Sequence, residues 1–370
     1  MFLTVSNLAH YLIGRGLLSA KTVVDGDFVA VEAGRRNRNY KVLVRSGTSL
    51  FLKQIKSQDA AAISTLQREA ACYRMAQNTP SYQPMAQAMS RMVDHDAARH
   101  CLILEMLPAA ENLTEYAART NSFPVEIGKL LGRQLAACHG AVRERALYAD
   151  ELAVFPRLPP WILSYHNSAA TMPPDLSGGA IRVGHILRQY PDMCASLDRL
   201  RREWRYDSLI HGDMKWDNCL VYTDTSGARS LKIIDWELVD YGDACWDIGS
   251  VFQSYLTSWI FSMPLMQEHA PERLMAKAAF PLDAMAPSIG AFWRSYVESA
   301  AIPPWSASQR LIRSIEYGAA RLVQTAYESL YMSHAMTNHG AALLQVAQNI
   351  LRDPAGAADS LLGLKQEMAA

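Results

Sequence analysis

The sequence carries no excess of charge of either sign: 36 Lys and Arg balance 36 Asp and Glu. Without a net field, nucleic acid, an anionic membrane or a polycation would have to be held by a local patch, so neither nucleic acid nor membrane is expected as a partner. Clustered cysteine is missing as well. Cys72, Cys101, Cys138, Cys194, Cys219 and Cys245 lie far apart and form no Cys-x-x-Cys pair, which disfavours a zinc site or a disulfide-stapled scaffold and fits a reducing, cytoplasmic setting. Long apolar runs are absent too. The most apolar stretch, "SVFQSYLTSWIFSMPLM", is broken by Gln253, several Ser and Pro264 and falls short of an uninterrupted bilayer span. The start, "MFLTVSNLAHYLIGRGLL", has no basic leading segment and no small-residue cleavage site, and it carries Asn7, His10 and Arg15 among its apolar residues. It reads as an amphipathic helix, not a signal peptide. There is no internal repeat and no low-complexity tract. What remains is bulk: 370 residues, half of them hydrophobic, enough for one large core or for two to three linked ones.

Residues 28–54 alternate as short strands do, in "FVAVEA", "NYKVLVR" and, after an "SGTS" turn, "LFLKQ"; the pattern predicts an antiparallel sheet. From Gln58 to Gln77 the apolar positions Ile63, Leu66, Ala70 and Tyr73 recur at helical spacing, with Pro80 and Pro84 beyond. "HCLILEMLP" returns to a buried strand, after which helical patterns dominate, clearest over 307–333, where Leu311, Ile315, Ala319, Leu322, Val323, Ala326 and Leu330 make one apolar face. The expectation is an α+β chain that divides near residue 107 into a small sheet-rich part with one helix, 1–107, and a larger helical part, 108–370. The Pro- and Gly-rich stretch 155–180 reads as a loop insertion over a site.

The chemistry is concentrated in "LIHGDMKWDNCLV", residues 209–221. The spacing from Asp213 to Asn218 equals that of a kinase catalytic loop, in which an Asp accepts a hydroxyl proton and an Asn binds magnesium. A phosphoryl group in flight needs an oriented nucleophile and nearby cations, and little covalent help. Downstream, "CLVY", a polar turn and "LKII" read as a hairpin ending in "DWE", so that Asp213, Asn218 and Asp235 can share a metal and phosphate site. The same logic asks for a phosphate-binding Lys and an acid that holds it. Lys53 lies on the "LFLKQ" strand, and Glu69 borders the apolar face of the following helix.

With these motifs in this order, residues 28–255 resemble the aminoglycoside phosphotransferase and choline kinase group. The resemblance implies a bilobal, protein-kinase-like fold that uses ATP and Mg²⁺, with an antiparallel-sheet N-terminal lobe and a mainly helical C-terminal lobe. It makes Asp213 the catalytic base, Asn218 and Asp235 the magnesium ligands, and Lys53 the phosphate-binding lysine held by Glu69. The backbone of "LEMLP", including Glu105 and Leu107, becomes the hinge that meets adenine, and Asp247 in "GDACWDIGSV" braces the catalytic loop. Asp243 reads more simply as a helix N-cap, and His139 as a satisfied core histidine.

Two departures from the pattern matter. The nucleotide-covering loop, within "VEAGRRNRNYKV", has Gly34 as its only glycine; Arg36 and Asn37 either approach phosphates or form a solvated turn. Lys215, two residues after Asp213, stands where Ser/Thr protein kinases have Lys, and a cation there can act with Asp213 on the transferring group. Two acceptor classes therefore stay open: a small-molecule hydroxyl, or a Ser or Thr of a peptide that a partner lyase then eliminates. A nucleotide-binding pseudokinase is the third reading, against which the presence of Asp213, Asn218 and Asp235 counts.

Overall fold

The computed structural model describes the chain except residues 1, 35–36, 57–58, 108, 142–152, 171–177, 265–274, 276, 332, 334 and 365–370. Two compact units emerge, and they are interleaved along the chain: Met1–Asn112, Glu144–Phe155 and Asn218–Val239 form the first, and Leu113–Arg143, Pro156–Asp217 and Asp240–Ala370 the second.

In the first unit, helices α1 (Val5–Gly14) and α2 (Ala20–Val24) precede strands β1 (Phe28–Glu32), β2 (Arg38–Val44) and β3 (Leu50–Gln54). Helices α3 (Ala60–Asn78) and α4 (Gln83–Ala88) and strands β4 (Met92–Asp96) and β5 (Cys101–Glu105) follow. The five strands form one antiparallel sheet in the order β1-β2-β3-β5-β4. Side chains alternate across a strand. Tyr40, Val42, Leu50, Leu52, Cys101 and Ile103 thus share one face and bury it against Leu8, Tyr11 and Leu12 of α1. The same alternation turns Lys53 to the opposite face, where α3 supplies Glu69. Asp59 starts α3 by accepting the Ala62 N–H at 2.7 Å, which satisfies one of the free donors of the first turn.

A second, three-stranded sheet completes this unit. It consists of β6 (Glu111–Asn112), β8 (Cys219–Thr223) and β9 (Arg229–Ile233), in the order β6-β8-β9. The β8–β9 hairpin turns where Asp224 accepts N–H groups of Ser226 and Ala228 and Gly227 takes φ 84°.

The second unit is helical around a two-stranded ribbon of β7 (Ser208–Ile210) and β10 (Asp240–Gly242). Its helices are α5 (Leu113–Thr120), α6 (Val125–Gly140), α7 (Gly178–Arg188), α8 (Pro191–Arg202), α9 (Ala244–Phe261), α10 (Leu282–Ser299), α11 (Pro304–Leu330), α12 (Asn338–Arg352) and α13 (Pro354–Ser360). The stretch 155–180 contains a 3-10 segment, Trp161–Ala170, ahead of α7. Helices α9 and α11 touch backbone to backbone: a Cβ on Gly249 would sit 2.3 Å from the Ser314 carbonyl. No helix among the described residues is long and apolar enough to cross a membrane.

Candidate active site

The first cluster lies within the sheet-rich unit. Lys53 is buried, and its Nζ lies 2.8 Å from Glu69 Oε2, 2.6 Å from Asp235 Oδ1 and 3.0 Å from Glu237 Oε2. The end of β9 explains the convergence. Asp235 takes a left-handed backbone (φ 64°), which Asp tolerates better than most residues but which still costs energy. The chain then enters a 3-10 turn, Trp236–Leu238, that is pinned where Arg68 of α3 donates to the Glu237 carbonyl at 2.8 Å and where the buried Trp236 donates to the Ile233 carbonyl. One turn thus aims two carboxylates at a lysine that a third already holds.

Three carboxylates thus converge on this one ammonium. Burial disfavours the charged form of Lys53, but Glu69, Asp235 and Glu237 outweigh it and raise the ammonium well above its ordinary pKa. Glu69 is pushed up to about 7, chiefly by burial and against the pull of Lys53. Lys53, Glu69, Glu237 and Asn37 line one cavity of about 270 Å³. Gly34 lies at the mouth of the β1–β2 turn, where a Cβ would meet the Asn37 carbonyl at 2.0 Å. Gly34 is therefore a position where a side chain would meet the backbone of Asn37 and Asn39. Arg36 lies outside the described residues.

Asn218 ends the 3-10 turn Trp216–Asn218, and its carbonyl accepts the N–H of Ile234 at 2.9 Å. It therefore stands beside the residue that precedes Asp235. Among the described residues no cluster of three or more His, Cys, Asp or Glu could by itself hold a metal ion. Mg²⁺ requires less than that: it is commonly held by one or two carboxylates together with substrate phosphates and water. The hard oxygen donors of Asn218, Asp235 and Glu237 fit that demand.

The second cluster lies in the helical unit, on the loop after β7. Asp247 is fully buried near the start of α9 and accepts the backbone N–H of His211 at 2.6 Å and of Gly212 at 3.1 Å. His139 of α6 lies 3.1 Å from Asp247 through Nε2 and 2.8 Å from the Tyr296 hydroxyl through Nδ1. The Trp246 indole N–H donates to the Gly212 carbonyl at 3.0 Å. Asp243 caps α9 by accepting the Cys245 N–H. The loop is thereby clamped through its backbone, which leaves the Asp213 side chain to two cations. Lys215 Nζ lies 2.5 Å from Oδ2, and Arg321 Nη2 of α11 lies 3.0 Å from Oδ1. Burial would push the Asp213 carboxyl up, but Arg321 and Lys215 prevail and hold it below its ordinary pKa.

The structure thus gathers Lys53, Glu69 and Asn37 around one cavity, pairs Asp235 with Lys53, sets Asn218 beside Ile234, and joins Lys215 to Asp213. It does not gather Glu105 and Leu107 there. They line a separate cavity of about 490 Å³ with Arg91, Tyr222 and Lys232, where Arg91 Nε lies 2.9 Å from Glu105 Oε2. Two further residues enter the clusters without a motif to announce them. Glu237 stands two positions after Asp235 in "DWE", where a second carboxylate was open to notice. Arg321 is a charge inside "GAARLVQ", whose small residues mark a helix packed on all sides.

Comparison with known proteins follows the same lines. No curated protein matches the chain. Among solved structures, the fold is similar to that of an ethanolamine kinase of Plasmodium vivax (15% identity, 94% of this chain and 87% of that one, TM-score 0.58). It is also similar to that of a choline/ethanolamine kinase family protein of Mesorhizobium loti (16% identity, 92% and 95%, TM-score 0.51). A third similar structure is an amicoumacin kinase in complex with AMP-PNP, Ca²⁺ and Ami (11% identity, 97% and 99%, TM-score 0.51). At such identities the likeness speaks for the protein-kinase-like fold alone. The sequence itself matches the model of the phosphotransferase enzyme family over residues 27–279. Covering more than half of the chain and both clusters except Tyr296 and Arg321, that match means that the chain belongs to the phosphotransferase enzyme family.

Proposed function

We propose that this phosphotransferase moves the γ-phosphoryl group of ATP, with Mg²⁺, to a hydroxyl of a small molecule. The observation that carries the reading is the buried Lys53 held among Glu69, Asp235 and Glu237 on the wall of a cavity. Lys53 is the phosphate-binding cation in this scheme, and Glu69 keeps it extended from the strand. Asn218 and Asp235 hold the metal, which when bound neutralises charge on the phosphates and polarises them. Asp213 orients the acceptor hydroxyl and takes its proton, and Lys215 lies close enough to meet charge that develops on the transferring group.

The acceptor lies against the helical unit in this reading. Trp161, Tyr165 and Tyr327 make a mutual edge-to-face triad there, with ring centroids 5.0–5.5 Å apart. Tyr327 sits on the helix that carries Arg321. Trp161 is the exposed member of the triad and offers an aromatic ring to an acceptor. The two cations on Asp213 count against a polycationic one. The ethanolamine and amicoumacin kinases are named for small acceptors, which favours that class. The contact of Lys215 with Asp213 keeps a peptide Ser or Thr, followed by a partner lyase, as the second reading.

The test is transfer of labelled γ-phosphate, with and without Mg²⁺, to a panel of amino alcohols, sugars, aminoglycosides and Ser-containing peptides. Mg²⁺-dependent labelling of a small acceptor supports the proposal, and labelling of the peptide alone supports the second reading. Nucleotide binding without transfer to any acceptor or to water would mark a pseudokinase.

A further inference from the structure

We propose that Arg321, on a helix distant in sequence from the catalytic loop, is the positioning residue for Asp213: it fixes the carboxylate's direction. The inference rests on the reading of Asp213 as the base. A buried guanidinium is costly unless it is paired, and α11 buries two, Arg313 and Arg321, with Arg310 partly exposed beside them. Arg313 Nε lies 2.7 Å from Asp243 Oδ2, Arg321 Nη2 lies 3.0 Å from Asp213 Oδ1, and Arg310 approaches Asp207 at 4.0 Å. These positions, i, i+3 and i+11, fall on one side of a helix. Each meets an Asp of a different segment: Asp207 before β7, Asp213 after it, and Asp243 at the start of α9. One rigid helix therefore sets the spacing of three loop carboxylates.

Arg321 differs from the other two in what it holds. Its guanidinium lies over the Trp246 ring, 5.5 Å from the centroid, and the same indole bonds the Gly212 carbonyl. The side chain that aims Asp213 is thus itself aimed by the residue that clamps the loop. Lys215 cannot substitute for it, because Lys215 is 41% exposed and flexible whereas Arg321 is 4% exposed. Among the described residues, the charged and titratable groups that act on Asp213 include Arg321 from α11 and Lys215 and His211 from its own loop; Asp247 on α9 acts on the loop backbone.

Arg321→Met removes the fixed cation while keeping bulk against Trp246, and Arg321→Lys keeps charge without the planar fork. For a carboxyl whose folded pKa is depressed, the ionised form is kept until pH falls through that lowered value. Without Arg321, burial raises the Asp213 pKa and the acid limb of kcat/KM moves to higher pH. The expected result for Arg321→Met is a fall in kcat of about 100-fold from misaimed chemistry, a KM for ATP within about twofold of wild type, and an upward move of the acid limb. Arg321→Lys lowers kcat with a smaller move. A kcat loss with an unmoved pH profile in both variants would make Arg321 a mere packing brace and overturn the proposal. A second readout needs no turnover: the ¹³C titration of the Asp213 carboxyl, assigned by its loss in Asp213→Asn, moves to higher pH in whichever Arg321 variant folds. An unmoved titration overturns the proposal as well. If the wild type transfers no phosphate but the titration moves, the functional reading fails while Arg321 still tunes Asp213.

Discussion

Asp213 is an acid held below its ordinary pKa by two cations, which makes it a weak proton acceptor. A weak base suits phosphoryl transfer, because in a loose transition state the hydroxyl proton leaves late and aim matters more than basicity. Asp213→Asn should therefore lower turnover by about 100- to 10,000-fold, the usual worth of a general base, while nucleotide binding measured by calorimetry persists. Near-wild-type turnover would remove Asp213 from the chemistry. Lys53 gives a contrasting case. Removing it strands the fully buried Glu69 beside two further carboxylates, so Lys53→Met should destabilise the fold by about 3–5 kcal/mol. Lys53→Met/Glu69→Gln should recover much of that in denaturant melts. No recovery in the double variant would mean that the pair is not a unit.

What the sequence disclosed at this scale follows from where pairing is local. Lys53 on an alternating strand, Glu69 beside an apolar stripe, and the Asp213 to Asn218 spacing are all set by short-range periodicity, so their placement could be read before any coordinates. Arg321 could not, because it meets Asp213 across 108 residues and no local pattern specifies which helix returns to the loop.

At the scale of elements, strands β1, β2, β3 and β5 were legible because they alternate. Strand β4 was not, for a physical reason. Its Asp94 and Asp96 are kept polar to receive Arg15, just past the end of α1, at 2.5 Å and the Tyr11 hydroxyl of α1 at 3.1 Å, and a bulge between Met92 and Asp94 breaks the period. In the helical unit, α11 was read from its apolar face, yet residues 313–324 are all buried, including the side that carries Arg313 and Arg321. The close approach of α9 to α11 permits this burial. Gly249→Ala would drive a methyl into the Ser314 carbonyl, and overpacking of this kind costs about 1–3 kcal/mol. The expected outcome is a lower Tm together with a raised acid limb of the pH–rate profile, since parting the helices also draws Arg321 from Asp213. A lower Tm with an unchanged profile would show that the helix position and the loop are uncoupled.

Across the whole molecule, the cysteines that form no bridge report on each unit by itself. Cys72, Cys101 and Cys219 are buried in the first unit, and Cys138 and Cys245 in the second. Burial pushes the Cys101 thiol up to about 12 and raises Cys245 also, so none of these thiols reacts until its surroundings open. Cys72 is the most informative, because it lies on α3 three residues beyond Glu69. If nucleotide binds through Lys53 and Glu69, then Mg·ATP at about 100 times its Kd stabilises the closed state by about 2.7 kcal/mol and slows alkylation of Cys72 about 100-fold. Residue-resolved mass spectrometry after timed alkylation reads this directly. Cys138 should slow by the same factor if the units open together, and by less if each opens alone. Unchanged labelling of Cys72 at saturating nucleotide would place the nucleotide away from α3 and with it dissolve the role of Lys53 as the phosphate-binding cation.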